Sequence, residues 1–154
     1  MRGLKFRGAM ALANTMAALI AANAPQELLP RVAAAAAPDA PALVPVPLHR
    51  ARRRRRGFNQ AAILAEALAR RTGLAVADCL RRSGAAGTQV GRPRVERLAA
   101  PPGSIQAREP IPARVILVDD VATTGATLAA GARALRAAGA LEVRAVTFAR
   151  TLGR

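Results

Sequence analysis

Four consecutive apolar residues, Val115-Ile116-Leu117-Val118, run directly into two adjacent carboxylates, Asp119 and Asp120. An apolar run without alternation is what a strand buried on both faces requires. Residues 114–118 are therefore predicted to form a buried strand of a parallel sheet. Small and hydroxylated residues follow, Val121-Ala122-Thr123-Thr124-Gly125-Ala126-Thr127. A helix is predicted over residues 124–138, with Leu128 and Leu135 one heptad apart and Gly139 at its stop.

That order of elements suggests a chemistry. Open α/β sheets bind ligands at the carboxyl ends of their strands. Small residues let backbone N–H groups close on a phosphate, and a helix starting there aims its positive end at the same anion. Thr123, Thr124 and Thr127 can add hydroxyl donors. Asp119 and Asp120 would repel a phosphate, so they suit ribose hydroxyls, or a Mg²⁺ that those hydroxyls share with a pyrophosphate. The pattern predicts a ribose-5-phosphate cradle. Neither a Gly-x-x-x-x-Gly-Lys loop nor a Gly-x-Gly-x-x-Gly turn occurs, so the usual ATP and dinucleotide motifs do not compete.

The rest of the chain supplies the expected surroundings. Residues 9–24 carry Leu12, Met16, Leu19 and Ile20 at one-face helical spacing, and Asn14, Thr15 and Asn23 interrupt the apolar stretch. The segment is also shorter than the roughly 20 apolar residues of a membrane span. A packing helix is expected, with no export signal and no membrane insertion. Residues 25–41 form a Pro- and Ala-rich connector. Leu43-Val44-Pro45-Val46-Pro47 reads as a short strand at an edge or ending at Pro47. A basic run over 50–56 precedes a helix with Asn59 as N-cap and Gly73 as stop. Residues 74–78 suggest another short strand, and residues 83–110 a long loop of the kind that often serves as a lid. Residues 142–149 close the fold as a strand, with Val143 and Ala145 inward and Arg144 outward. Strand–helix–strand units at this spacing predict a three-layer α/β/α fold with a mostly parallel sheet. One domain is expected over 1–154: a packing helix or hood remnant at 1–24, the connector at 25–41, and a ligand-binding core at 42–154.

Composition limits the alternatives. The 154-residue chain has a formal charge of +15, which resembles a nucleic-acid signature. Yet Lys5 is the single lysine among 24 basic residues, and with the alanine excess this is the bias of a GC-rich coding sequence. The field still attracts anions. The run of arginines reads as a solvated charge run, or as a flank to phosphate, and Arg56 beside Gly57 is its best candidate. His49 is the only histidine, and it reads as a hydrogen-bonding residue at a strand end. Cys79 is the only cysteine, so neither an intramolecular disulfide nor a multi-cysteine zinc site can form, and a cytoplasmic setting is expected.

The run 115–127 resembles the phosphoribosyl diphosphate (PRPP) signature of type I phosphoribosyltransferases. Val44-Pro45-Val46-Pro47-Leu48-His49-Arg50 and Arg56-Gly57-Phe58-Asn59-Gln60 resemble the hallmark of the ComF family, associated with competence and DNA utilisation. Leu4-Lys5-Phe6-Arg7-Gly8, Thr88-Gln89 with Arg94 and Arg97, and the ending from Gly139 to Arg150 resemble further parts of that family in the same order. The resemblance implies a type I phosphoribosyltransferase fold with a mobile hood. It implies that Asp119 and Asp120 are the catalytic pair holding the ribose diol, with Val121 between them and the phosphate turn. Ala122, Thr123, Thr124, Gly125, Ala126 and Thr127 would wrap the 5-phosphate. Pro47, Leu48, His49 and Arg50 would form a pyrophosphate loop, and Arg94 and Arg97 would close over the leaving group. The implied activity is Mg²⁺-assisted transfer of a phosphoribosyl group from PRPP to a nitrogen nucleophile. The alternative is a non-catalytic nucleotide-sensing or single-stranded-DNA-handling adaptor, partnered with nucleic acid or the DNA-uptake machinery. The chain departs from the family in two places. The family usually opens with a cysteine-rich module, and here the sequence starts at Met1 without it. Either the start is truncated or this member lacks the module, and zinc is not expected. Leu98-Ala99-Ala100 also stand where an Asn commonly follows the arginine pair.

Overall fold

The computed structural model describes residues 2–30, 37–48, 57–82 and 104–151. The elements are α1 (Arg2–Asn23), β1 (Ala42–Pro45), α2 (Gln60–Thr72), β2 (Leu80–Arg82), β3 (Ile105–Ala107), β4 (Arg114–Ala122), α3 (Ala126–Ala137) and β5 (Glu142–Arg150). β1, β4 and β5 form a parallel sheet in that order, with β4 central. The expected three-layer arrangement is present.

Strand alternation divides the core into two halves. Leu43, Ile116, Val118 and Val146 pack against α1 and α2, and Val44, Val46, Val115 and Leu117 pack against α3 on the opposite face. Successive β4 side chains thus enter opposite cores, as the two-residue repeat of a strand dictates. The α3 face differs from expectation. It is covered by one helix together with the antiparallel hairpin of β2 and β3, whose Leu80 and Ile105 are buried there. The predicted loop over 83–110 therefore ends in a strand, because Ile105 has core to fill. The strand expected over 74–78 is a single bridge from Val76 to Leu43.

That bridge also explains how β1 tolerates proline. Leu43 donates to the Ala75 carbonyl and accepts from the Ala77 N–H, while Val46 donates to Val118 on the other side. Pro45 faces the same side as Leu43, beyond the point where pairing with 75–77 stops, so its missing N–H costs no ladder bond. β1 is consequently flanked on both sides at Leu43 and is not a free edge.

The expected inward faces of α1 and β5 are corrected in detail. The buried stripe of α1 is Ala13, Met16, Ala17 and Ile20, whereas Leu12 and Leu19 are 59% and 48% exposed. Small alanines let α1 lie close to α2, and the larger leucines fall on the flank. Asn14, an interruption of the apolar pattern, accepts from Arg70 through its side chain and from Arg71 through its carbonyl, tying the helices together. In β5, Val143 packs on the α3-side core and Val146 on the α1–α2 core, as alternation dictates, while Ala145, expected inward, is exposed. Among the described residues no helix is long and apolar enough to cross a membrane.

α3 approaches β4 closely at Gly131. A Cβ there would stand 3.4 Å from Leu80 Cδ1 and 3.6 Å from both Leu117 Cδ atoms. A methyl fits and anything larger does not. Gly131→Ala should keep or raise stability by up to about 1 kcal/mol through helix propensity, and Gly131→Leu should lower it by about 1–3 kcal/mol through overpacking. Thermal or denaturant unfolding of the two variants checks this, and equal stability of both would contradict the packing.

Candidate functional site at the tip of the central strand

β4 is longer than its apolar run suggests. Pairing with β5 continues through Asp119↔Thr147, Val121↔Ala149 and Ala122↔Arg150, and Thr151 donates to the Ala122 carbonyl at 3.0 Å. The two aspartates thus lie within the strand, four and three residues before the turn to α3 begins at Thr123. The strand is extended because β5 offers a ladder of equal length.

Alternation then separates the carboxylates. Asp119 follows Val115 and Leu117 toward the α3 face, where it lines a small cup with Val121 and residues 122–128. The cup holds about 30 Å³, room for roughly two or three water-sized groups. Asp120 follows Ile116 and Val118 to the other face. There it borders a hollow of about 170 Å³ walled by Leu12, Met16, Gln60, Ile63 and Val121. The sequence reading placed both carboxylates on one ligand group, whereas the structure puts each at the edge of a different depression, with Val121 shared between them.

The turn after β4 is built for close approach. Gly125 sits at φ 72°, in the left-handed region that favours glycine, and forms the N-cap of α3. Its carbonyl accepts the first helical bond from Ala129 at 2.9 Å. Thr124 Oγ1 accepts from Ala126 N–H at 3.3 Å. The amides of the first helical turn otherwise have no intrahelical acceptor, and they open on the cup with the positive end of the helix behind them.

Electrostatics single out Asp119. Its burial, followed by the repulsion of the Asp120 carboxylate, pushes its pKa up to about 7. The Asp120 N–H, donated to Asp119 Oδ1 at 3.0 Å, and the positive charge of Arg82 pull it part of the way back. Asp120 Oδ1 in turn accepts the Val121 N–H at 2.9 Å. Each carboxylate is therefore held by the next residue's backbone.

Other elements converge on this tip. Asn59 caps α2 by accepting from Ala61 N–H at 3.2 Å, and its Nδ2 donates to the Val46 carbonyl at 3.0 Å. This fastens the start of α2 to the end of β1, beside the hollow that Gln60 lines. Pro47 and Leu48 follow Val46, half-buried. His49, Arg50, Arg56, Arg94 and Arg97 lie outside the described residues. Sequence reasoning missed Arg82 and the hollow's apolar walls. The available signal for Arg82 was an apolar–polar–arginine alternation beginning at Leu80, which places Leu80 and Arg82 on one face.

A family model for the phosphoribosyl transferase domain matches residues 54–154, more than half of the chain. The chain belongs to the phosphoribosyl transferase domain family. Its α/β architecture is that of a type I phosphoribosyltransferase, and the family's chemistry is phosphoribosyl transfer from a PRPP-like substrate. The matched span contains α2, the hairpin, β4, the turn, α3 and β5, so both depressions at the strand tip include matched residues. No curated protein matches the chain significantly.

The raised pKa of Asp119 carries a stability consequence. A carboxyl whose folded value lies near 7, against 3.8 when unperturbed, is bound to its proton more tightly in the folded protein. It contributes stability that is present below the unfolded value and is lost as pH rises through the folded one. Asp119→Asn should therefore raise the melting temperature at pH 8 and give little change at pH 4. An equal shift at both pH values would contradict the assignment.

Proposed function

We propose that the chain is a phosphoribosyltransferase of the ComF type that binds PRPP at the tip of β4. The observation that carries this reading is the contiguity of two strand-borne carboxylates, a left-handed glycine turn and a helix start within a matched phosphoribosyl transferase domain. In this reading the amides and hydroxyls of residues 122–127 receive the 5-phosphate, and Asp119 and Asp120 take the ribose hydroxyls from either side of the strand. Pro47 and Leu48, with His49 and Arg50, form the pyrophosphate side. The apolar hollow beside Asp120 receives the acceptor. A hydrocarbon cavity of about 150 Å³ holds benzene, so 170 Å³ is room for one ring.

Mg²⁺ fits this proposal as a companion of the ligand. Asp119 and Asp120 offer the hard oxygen donors the ion takes, and no group of three or more acidic, His or Cys side chains forms a metal cage among the described residues. Bound Mg²⁺ would neutralise charge on the leaving pyrophosphate. The protein's own residues position and screen. The helix end and turn fix the phosphate, the carboxylates fix the sugar, and the walls of the hollow exclude water from the acceptor. The bond from C1 to pyrophosphate oxygen breaks, a bond from nitrogen to C1 forms, and the acceptor's proton leaves.

Combining Asp119→Asn with Asp120→Asn should abolish calorimetrically detectable PRPP·Mg²⁺ binding, while the circular dichroism spectrum stays that of the parent protein. Undiminished affinity in the double variant would refute the site.

A further inference from the structure

β5 lies at the rim of the parallel sheet. One side of it pairs with β4, and among the described residues no strand pairs with the other. Glu142 N–H donates to the Ala113 carbonyl on the β4 side. Alternation therefore turns the N–H and C=O groups of Val143, Ala145 and Thr147 outward. Arg136 of α3 reaches the Val143 carbonyl at 3.5 Å, and among the described residues nothing caps the outward groups of Ala145 or Thr147. Neither helical layer covers the strand completely: Arg144 and Phe148 are exposed on the α1–α2 side and Ala145 on the α3 side. Leu141, just before the strand, is 84% exposed. A nine-residue rim with outward backbone groups and exposed apolar side chains is a template for a further strand.

The strand's own sequence selects the occupant. We infer that a second copy of this chain pairs with β5 antiparallel, about a two-fold axis at Val146, joining two three-stranded sheets into one of six. In that register Glu142 stands opposite the partner's Arg150, and Arg144 opposite the partner's Phe148. The first is a charge pair and the second a cation against a ring. Within its own chain Arg150 makes no ion pair among the described residues, whereas Glu142 already holds Arg144 and Arg114. Ala145 and the partner's Thr147 exchange backbone hydrogen bonds, since both present their polar groups outward. Neighbouring registers are poorer. An axis at Thr147 sets Arg144 against the partner's Arg150, and an axis at Arg144 sets that arginine against its own copy; like charges directly opposite are destabilising. An axis at Ala145 points Arg144 at the buried Val146 and separates Glu142 from Arg150. Antiparallel pairing also aims the two β4 tips at opposite ends of the joined sheet, so the inference stands apart from the phosphoribosyl reading.

Sedimentation equilibrium of the full chain tests this in the parent, in Ala145→Pro and in Arg150→Glu. The parent should be a dimer at micromolar concentration. Ala145→Pro should be monomeric with the parent's circular dichroism spectrum, because a proline whose nitrogen faces away from β4 removes no ladder bond from the monomer. Arg150→Glu sets like charges opposite each other twice per dimer and should weaken association about tenfold. Arg144 and the partner's Phe148 form a non-hydrogen-bonded pair, where side chains come closest. With the buried Cys79 changed to Ala, a mixture of Arg144→Cys and Phe148→Cys chains should therefore cross-link on mild oxidation, and neither chain should do so alone. A parent that stays monomeric would overturn the proposal, as would a dimer that Ala145→Pro leaves intact. Should Ala145→Pro lose the parent's spectrum, Arg150→Glu decides, and unchanged association in it sinks the pairing. Cross-linking of either cysteine variant with itself would overturn the register.

Discussion

The two-sided burial of β4 is the constraint from which the rest follows. Four residues from Val115 to Val118 are each almost wholly removed from water, two into each core. A register slip of one residue would exchange the cores for all of them at once, so the strand has one stable seat. That seat aims Asp119 at the α3 face and Asp120 at the α1–α2 face. The hydrophobic effect thereby orients two charged groups that take no part in it.

Around that strand the fold gathers groups of complementary character. The left-handed turn at Gly125 starts α3 immediately after the strand ends, which brings amide donors and the positive helix end to the Asp119 side. The positive charge of Arg82, in the hairpin, acts on Asp119. On the Asp120 side, Asn59 fastens α2 to β1, and apart from Gln60 the walls that α1 and α2 supply are apolar. One side of the tip is suited to charge and the other to an apolar ring. Such a division is what the joining of a charged sugar phosphate to a flat acceptor would use.

Much of this was legible in the sequence, and the reasons differ from element to element. The central strand and α3 could be read because a continuous apolar run and a leucine heptad have few alternatives. Asn59 and Gly73 could be read because capping chemistry is local; Asn59 accepts from Ala61 N–H, and Gly73 adopts φ 75°. The extent of β4 could not, since residues 119–122 look like a loop until β5 is present to pair with them. The burial of α1 was misjudged for a similar reason. Leucine outranks alanine in hydrophobicity, but close helix contact selected Ala13 and Ala17, leaving Leu12 to the wall of the hollow. Arg82 was hidden because its charge reaches Asp119 only once the chain is folded, which no local pattern encodes.

The most direct measurement is a crystal structure of the chain soaked with PRPP and Mg²⁺. The expected result is a ribose spanning Asp119 and Asp120, its 5-phosphate within hydrogen-bonding distance of the amides at Gly125, Ala126 and Thr127. Density for PRPP away from the β4 tip, or with its pyrophosphate rather than its 5-phosphate in the turn before α3, would contradict the account.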